Sequence, residues 1–225
     1  MNLLAIDTAT PVCAIAVRTS SGVEVVRVLD EHRRHTEVLM PGVAGLLAQC
    51  GLVARDVDCV VVDRGPGLFT GLRVGVATAN AFARALGVGI VTVTSLELLA
   101  HGAHESRVRG TLVGAVDARR GEVFVQTFHL GDEVEAVGPP EVARPRDIAI
   151  AWATSGAPVT FTGDGVERYL GDFAAVPQGA IAHATVPSLH AALDLGAARS
   201  REPEAVPLYL RDADAVANFT TRERP

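Results

Sequence analysis

A run of strand-like and helix-like segments occurs in the same order twice along this chain. The first half has the pattern of three strands, a helix, a strand, a helix and a strand, at residues 2–6, 12–18, 23–30, 36–50, 57–63, 71–86 and 89–94. The second half repeats the order in shortened form, at residues 111–117, 122–129, 133–137, 146–153 and 159–162. Strand alternation and helical periodicity of this kind predict an α/β protein that contains an internal duplication.

Three adjacent strands followed by alternating helices and strands are typical of one class of double domain. In this class, which includes ribonuclease H, actin and hexokinase (the ASKHA type), helices cover each sheet. We therefore predict two ribonuclease-H-like lobes, the second of them abbreviated. A polar stretch near residues 101–110 places the boundary between a lobe of residues 1–105 and a lobe of residues 106–225. The sequence does not assign residues 206–211 to one lobe, since packing against either lobe is consistent with their pattern.

An aspartate ends the first strand of each half, Asp7 in the first and Asp117 in the second. In the ASKHA class such a pair holds the water shell of a nucleotide-bound magnesium ion, which prefers oxygen ligands. Thr8 and Thr10 add hydroxyls beside Asp7, so these four residues are candidates for a vestigial nucleotide- or phosphate-binding site. The alternative, that both aspartates simply end strands and begin turns, stays open.

Charge and composition narrow the choice of function. The net charge is −6 and the arginines are scattered along the sequence, which argues against an independent nucleic-acid-binding protein. The sequence shows neither a long apolar run nor a basic leader, so we expect a cytoplasmic protein with no membrane contact. Cys13, Cys50 and Cys59 lie in apolar runs without metal-binding spacing, and we interpret them as core residues.

A glycine-rich turn joins the fourth predicted strand to the next helix. Gly65, Pro66 and Gly67 allow a sharp turn, and Thr70 is a candidate N-cap for the helix. A turn into a helix start can cradle a phosphate. Because the stretch lacks the lysine and hydroxyl residue of a P-loop, we favour a structural turn over a phosphate site.

The helix of residues 71–86 is apolar or small around nearly its whole circumference. At about 100° per residue, only Arg73, Asn80 and Arg84 form a narrow polar stripe. A helix that packs only on its own sheet shows a wider polar face, so a second contact is predicted. The helix of residues 36–50 has the same character. Two alternatives to a partner chain stay open. The small residues allow the helices to pack closely within their own lobe, or the other lobe covers them. The candidate interface residues are Val38, Met40, Val43, Leu47, Arg73, Val74, Ala77, Ala81 and Arg84.

Several motifs occur in the order found in one protein family. They are AIDTAT at residues 5–10, HTE at 35–37 with MP at 40–41, GPGLFTGLRVG at 65–75, SLE at 95–97, DARRGEVF at 117–124 and PLYLR at 207–211. With these motifs the chain resembles, over nearly its whole length, the TsaB-type (YeaZ-like) dimerisation subunit of the complex that forms threonylcarbamoyladenosine on tRNA. The glycine-rich motif and the motif that begins at residue 117 are the specific ones.

The resemblance implies a non-catalytic partner subunit. Such a subunit pairs through its two helices with a metal-dependent catalytic TsaD-type subunit, as a heterodimer, and activates it. The resemblance also implies a TsaE-type ATPase as a further partner and tRNA as an indirect one. ATP or ADP and the metal then belong to partner subunits and not to this chain. Whether the isolated chain is a monomer or a homodimer stays open.

The motif at residues 95–99 bears on catalysis. In the catalytic relative this position carries His-Leu-Glu-x-His, whose two histidines bind a metal, whereas this chain has Ser-Leu-Glu-Leu-Leu. Leu99 cannot bind a metal, and Ser95 is a better N-cap than ligand. His101 and His104 lie three residues apart but have no third ligand at suitable spacing. We therefore expect no metal site and no catalysis by this chain alone.

Two other functions are alternatives. An independent ATP-dependent phosphotransferase of the same fold would use Asp7 and Asp117 around magnesium, but residues 162–165, the nearest candidate for an adenosine motif, favour a turn. A peptidase would need Ser95 or Ser188 beside an oriented histidine and an oxyanion site, and the sequence spacing shows no such triad.

Overall fold

The computed structural model describes residues 1–29 and 34–211, and its strands form two sheets. The first sheet contains β1 (Leu3–Asp7), β2 (Ala14–Arg18), β3 (Glu24–Val28), β4 (Cys59–Asp63) and β5 (Gly89–Val93). The second sheet contains β6 (Gly110–Arg119), β7 (Glu122–Leu130), β8 (Val134–Ala143), β9 (Val159–Thr162) and β10 (Gly179–Ala182). The helices are α1 (His35–Gln49), α2 (Phe69–Leu86), α3 (Ser95–Glu105), α4 (Pro145–Ser155), α5 (Asp164–Arg168), α6 (Leu170–Phe173) and α7 (Leu189–Ala198), and a short 3₁₀ turn spans Ala54–Asp56.

The two sheets have the same topology. Their strand orders are β3-β2-β1-β4-β5 and β8-β7-β6-β9-β10, so β1 and β6 occupy equivalent central positions. In each sheet the first three strands are antiparallel and the last two run parallel to the central strand. The predicted duplication of a ribonuclease-H-like lobe is confirmed. The second lobe is shortened in its helices, because α5 and α6 have only five and four residues while the sheet keeps five strands.

Helices cover both faces of the first sheet. Side chains alternate along each strand, so Ile6 and Val62 belong to the apolar cluster that includes α1 and α2, whereas Ala5 and Val61 belong to the cluster that includes α7. Gly87 ends α2 in the left-handed conformation, with φ 71°, where glycine is favoured. The apolar positions that predicted two helices therefore form the core of one face of this lobe.

The two halves of the chain exchange a helix. α3 precedes the second sheet in sequence but packs on it, where Leu96 and Leu99 join Leu112 and Phe124 in one apolar cluster. α7 follows the second sheet in sequence but packs on the first sheet. The predicted division into residues 1–105 and 106–225 separates the two sheets, but it does not describe the packing, since each sheet takes a covering helix from the other half.

The last described segment, residues 202–211, returns along the first lobe; we call it the strap. Glu202 forms an antiparallel bridge with Ile90 at the edge of β5. Ala205 and Asn80 exchange two hydrogen bonds of 2.8 and 3.0 Å. The strap is therefore held against the outside of the first lobe before it reaches the second.

The end of the strap crosses between the lobes. The Leu208 N–H donates to the carbonyl of Arg64 in the first lobe, at 2.7 Å. Arg211 donates to the carbonyl of Ala118 in the second lobe, at 3.3 Å, and pairs with Glu122. Residues 206–211 thus contact both lobes. No helix in residues 1–29 or 34–211 is long and apolar enough to cross a membrane.

Candidate functional site: interlobe cleft and helical face

The loop after β1, which carries three of the candidate nucleotide-binding residues, is closed to solvent. Asp7 and Thr8 have an exposed fraction of 0%, and Thr10 has 2%. Asp117, the fourth candidate, has 6% and lies in the second lobe. All four residues are therefore buried, and none offers more than 6% of its surface to solvent.

Two glycines of the α2 region allow the loop to close. The Thr8 hydroxyl donates to the carbonyl of Gly71 at 2.8 Å, and the Leu68 N–H donates to the carbonyl of Ala9 at 2.7 Å. A Cβ on Gly71 would lie 2.0 Å from the Thr8 carbonyl oxygen, and one on Gly67 would lie 2.1 Å from that of Ala9. The start of α2 therefore packs directly against the loop and fills the space in front of it.

Asp7 contacts a second carboxyl group, Asp63, that sequence reasoning missed. One Asp7 oxygen accepts from the Ala9 N–H at 2.8 Å. Asp63 accepts from the Gly65 N–H at 2.8 Å and from the Ser95 hydroxyl at 2.7 Å. Both carboxyls are buried, with exposed fractions of 0% for Asp7 and 1% for Asp63, and they end neighbouring parallel strands. The position of Asp63 at the end of β4, directly before the glycine-rich turn, was the available signal for it.

Burial changes the acidity of this pair. It raises the pKa of Asp7 well above the usual value, and the charge of Asp63 acts in the same direction. Burial also raises the pKa of Asp63, to about 6, although the bonds from Ser95 and Gly65 oppose the rise. Burial therefore disfavours negative charge on both carboxyls.

Neither of the two predicted N-cap residues, Ser95 and Thr70, caps its helix. Thr94, not Ser95, caps α3, since its hydroxyl accepts from the Glu97 N–H at 3.2 Å. Ser95 is the first residue of the helix, and its hydroxyl is used by the buried carboxyl pair. Thr70 is not a cap either, because α2 already begins at Phe69. The sequence pattern located both helix starts to within two residues but not the side chains that serve them.

The two serines considered for a peptidase have structural roles. Ser95 is fully buried and donates to a carboxylate. Ser188 caps α7 through the Ala191 N–H and donates to Glu105 at 3.1 Å. Because each hydroxyl donates to an acid and not to a histidine, the serine and base of a peptidase are not assembled at either position.

Asp117 forms ion pairs with two arginines. One of its oxygens lies 3.2 Å from Arg119 and 3.5 Å from Arg168. Its own N–H donates to Asp164, whose pKa is raised by burial. Within the described residues, no group of three histidine, cysteine or acidic side chains is arranged to hold a metal ion.

A cavity of about 480 Å³ lies between the lobes, beneath the strap. Its walls come from the start of α2, from the β6–β7 hairpin and from the strap itself. Four arginines line it, namely Arg73, Arg119, Arg120 and Arg211. They come from three segments that are distant in sequence and meet only in the folded chain. Arg119 and Arg120 both have left-handed backbone, with φ of 62° and 57°, at the tip of the hairpin.

Arg73 joins α2 to the strap. Its guanidinium lies 3.8 Å from the centre of the Phe69 ring, and its Nε donates to the Tyr209 hydroxyl at 3.1 Å. The two rings are 5.3 Å apart. Phe69 and Tyr209 are 40% and 43% exposed, so the stacked rings and Arg73 lie at the protein surface beside the first turns of α2.

The candidate interface divides into an exposed part and a buried part. Exposed side chains form a shallow face along α1 and α2, and Val74 between them is half-buried; these residues are Met40, Arg73, Val74, Ala77, Ala81 and Arg84. Val38, Val43 and Leu47 are instead buried in the core of the first lobe. They cannot contact a partner in this arrangement, because periodicity alone does not show which apolar stripe of a helix its own sheet covers. We remove these three from the candidate interface.

Comparisons with known proteins agree on one family. The family model described as "TsaD: tRNA N6-adenosine threonylcarbamoyltransferase" matches residues 29–200. The tRNA threonylcarbamoyladenosine biosynthesis protein TsaB of Escherichia coli K12 is 33% identical over 165 residues, covering 69% of this chain and 71% of that protein. TsaB of Bacillus subtilis 168 is 30% identical over the whole of both chains. A crystal structure of an uncharacterized Pseudomonas aeruginosa protein with similarity to peptidase YEAZ superposes with a TM-score of 0.81 at 29% identity, covering 93% of this chain and 99% of that one.

Proposed function

Because this chain belongs to the TsaB (YeaZ) family of tRNA threonylcarbamoyladenosine biosynthesis proteins, we propose that it is the non-catalytic subunit that binds and activates a TsaD-type catalytic subunit. The observation that carries the proposal is the contrast between a closed first-lobe loop and an open helical face. The loop that would hold a nucleotide is sealed, while the apolar surface of α1 and α2 has no cover within the described chain.

The sealed loop argues against independent phosphotransfer. A kinase of this fold class must present its first-lobe carboxylate to the metal of the nucleotide, whereas Asp7 here is 0% exposed and lies beside Asp63 at the same edge of the sheet. A phosphate would also have to displace the start of α2, which is bonded to Thr8 and Ala9. We therefore assign the catalytic metal and ATP or ADP to the partner subunits.

The helical face has the properties of a protein interface. Met40 is 47% exposed, which is high for a large apolar residue, and Ala77 and Ala81 are small enough to let a partner helix approach closely. Arg73 and Arg84 lie at its rim, and arginine is enriched at interfaces. A helix pair of the catalytic subunit would complete a four-helix contact with α1 and α2.

The other partners follow from the charge of the chain. With a net charge of −6, this subunit is a poor independent ligand for tRNA, so we place the tRNA mainly on the catalytic subunit. The TsaE-type ATPase would bind the assembled pair. In the absence of the catalytic subunit, the same helical face is available to a second copy of this chain.

A charge placed on the helical face tests the proposal. We expect Ala77→Glu to weaken binding to the catalytic subunit at least about 100-fold, since the carboxylate would be desolvated without a partner. Light scattering of the mixed subunits gives the affinity, and circular dichroism checks that the variant stays folded. Ala153→Glu, an exposed alanine on α4 in the second lobe, is the matched control and should bind like the wild type. Equal affinities for the two variants would exclude this face.

ATP turnover separates the proposal from phosphotransfer. The purified chain should hydrolyse no ATP, and adding it to the catalytic subunit and the ATPase should restore modification of tRNA. Magnesium-dependent turnover by the chain alone that Asp7→Ala removes would instead establish the phosphotransferase.

A further inference from the structure

Two neighbouring strands of the first lobe end in buried aspartates. β1 and β4 pair in parallel, so Asp7 and Asp63 lie at the same edge of the sheet. Their exposed fractions are 0% and 1%. Neither side chain reaches the interlobe cavity or the helical face, and the proposed function uses neither. Two acids in one buried place need an explanation of their own.

The hydrogen-bond donors around the pair differ between the two acids. Asp63 accepts on both oxygens, from the Gly65 N–H and the Ser95 hydroxyl. Asp7 accepts on Oδ1 from the Ala9 N–H, while its Oδ2 is the single buried side-chain oxygen or nitrogen of the described residues without a donor or acceptor of its own. An ionised Oδ2 would be desolvated beside another carboxylate. A proton on Oδ2 relieves both penalties, because Asp7 then donates to Asp63.

We propose that Asp7 and Asp63 share one buried proton at neutral pH, with Asp7 as the acid and Asp63 as the carboxylate, and that this proton fastens the β1 loop to the start of α2. The shared proton leaves the pair with one negative charge in place of two. It holds the two strand ends together without a cation.

The surroundings favour retention of the proton. Asp164 faces Asp7 from α5 and raises its pKa, and Glu97 faces Asp63 from α3 and acts in the same direction. The Cys13 thiol, near Asp7, is kept neutral because burial raises its pKa to about 12. The charged groups that act on the two carboxyls are therefore acidic, and none of those identified supplies a positive charge to replace the proton.

Hydrogen bonds of the β1 loop link the Asp7–Asp63 pair to the start of α2, which carries part of the helical face. Asp7 holds the Ala9 N–H, and the Ala9 carbonyl accepts from Leu68, directly before α2. Thr8 bonds Gly71 in the first turn of that helix. Loss of the proton would force the carboxylates apart and loosen the start of α2. We therefore expect partner binding to weaken as the pair ionises, an extension that rests on the proposed function.

The direction of the pH effect follows from linkage. An unfolded aspartate has a pKa of about 3.9, and both folded values are raised, so the folded chain binds more protons than the unfolded one. The stabilisation is complete below about pH 4 and is lost as pH rises through the folded pKa values. Above about pH 6, where Asp63 is ionised, the remaining proton makes the unfolding constant rise about tenfold per pH unit until Asp7 ionises.

Asp7→Asn tests the shared proton with little change in shape. The asparagine oxygen can accept from Ala9, and its NH₂ group can donate to Asp63 without any proton uptake. Between pH 6 and 7.5, the logarithm of the unfolding constant, from chemical denaturation, should rise with pH about one unit per pH unit less steeply than in the wild type. Asp117→Asn, at the equivalent strand end but paired with arginines, should keep the wild-type slope. Equal slopes for wild type and Asp7→Asn would overturn the proposal.

Infrared spectroscopy gives a test that does not depend on the stability of a variant. The wild-type chain at pH 7 should show the C=O stretch of a protonated buried carboxyl, and the difference spectrum against Asp7→Asn should assign that band to Asp7. A wild-type spectrum without a protonated carboxyl at pH 7 would overturn the proposal. Both measurements use the chain alone, so their failure would leave the partner function intact.

The link to the helical face needs the catalytic subunit. Affinity for that subunit should fall with rising pH through the ionisation of the pair in the wild type and stay more nearly constant in Asp7→Asn. If the proton is confirmed but both proteins show the same pH dependence of affinity, the link to α2 is wrong. Failure of the wild type to bind at any pH would contradict the proposed function itself.

Discussion

At the scale of single residues, the β1 loop can pack against the start of α2 only because two positions there are glycines. Two backbone carbonyl oxygens of the loop occupy the space that a Cβ atom at each position would need. The carbonyls of Thr8 and Ala9 approach Gly71 and Gly67 so closely that a Cβ would come within 2.0 and 2.1 Å of them. These contacts are with backbone atoms, which cannot rotate away as a flexible side chain can. The closed state of the loop therefore depends on glycine at both positions.

Gly71→Ala should destabilise the fold. The added methyl group has to move the Thr8 carbonyl or the start of α2, and we expect a loss of at least about 2 kcal/mol in the free energy of unfolding. Gly45→Ala in α1 is the control, because its Cβ would meet only Arg27 at 3.5 Å, an ordinary contact. That substitution should stabilise the helix by up to about 1 kcal/mol. Chemical denaturation measures both, and a Gly71→Ala variant as stable as Gly45→Ala would show that the loop can move freely.

At the scale of elements, the sequence predicted the order of strands and helices well because their patterns are local. Most segment limits agree with the structure within two or three residues, as in the helix predicted at 36–50 and found at His35–Gln49. β8 is longer than predicted and continues to Ala143 through two prolines, which an edge strand tolerates. The start of α3 was predicted near residue 95, but its continuation to Glu105 was not. The histidines and polar residues from position 101 onward suggested a linker instead.

The candidate site was predictable only in part, for a physical reason. The sequence pattern predicted Asp7 and Asp117 at equivalent strand ends; the topology confirms that β1 and β6 are equivalent central strands, although β6 continues past Asp117 to Arg119. It could not show that α2 seals the first of them, because this depends on contacts between residues about 60 positions apart. The arginine-lined cavity was missed for the same reason, as its walls meet only in the folded chain.

The strap supplies a prediction at this scale. Arg211 contacts the second lobe through Ala118 and Glu122, so Arg211→Ala should release the end of the strap and cost about 1 kcal/mol of stability. Hydrogen exchange in the β6–β7 hairpin should become faster. Arg109→Ala removes hydrogen bonds only to His104 and Val108, close in sequence, and should leave the hairpin unchanged. Unchanged exchange in Arg211→Ala would mean that the strap does not hold the lobes.

At the scale of the whole molecule, the exchanged helices make the two lobes depend on each other. α3 and α7 also contact each other, since the Ser188 N–H donates to the Leu98 carbonyl at 3.4 Å and Gly102 lies against Ser188. Each sheet would expose one apolar face if the other half of the chain were removed. The described residues form two sheets, each with an apolar cluster on both of its faces. The molecule should nevertheless unfold as one cooperative unit.

Cutting the chain at the boundary between the sheets tests this dependence. A fragment of residues 1–105 would lack α7 and expose the apolar cluster that contains Ala5, Val61 and Val91. We expect this fragment to bind a hydrophobic dye and to melt without a sharp transition. The fragment that begins at residue 106 lacks α3 and should behave in the same way, whereas a mixture of the two should recover cooperative melting. Two fragments that each fold sharply on their own would contradict the prediction.

The exchanged helices also bear on how such a duplicated chain can evolve. An ancestral lobe that covered its own sheet could be copied, lost or recombined as a separate module. In this chain, each half carries a helix that only the other half uses. Gene fission or shuffling between the two halves would then leave neither product able to fold, so that the duplication is preserved in descendants as a single inherited unit.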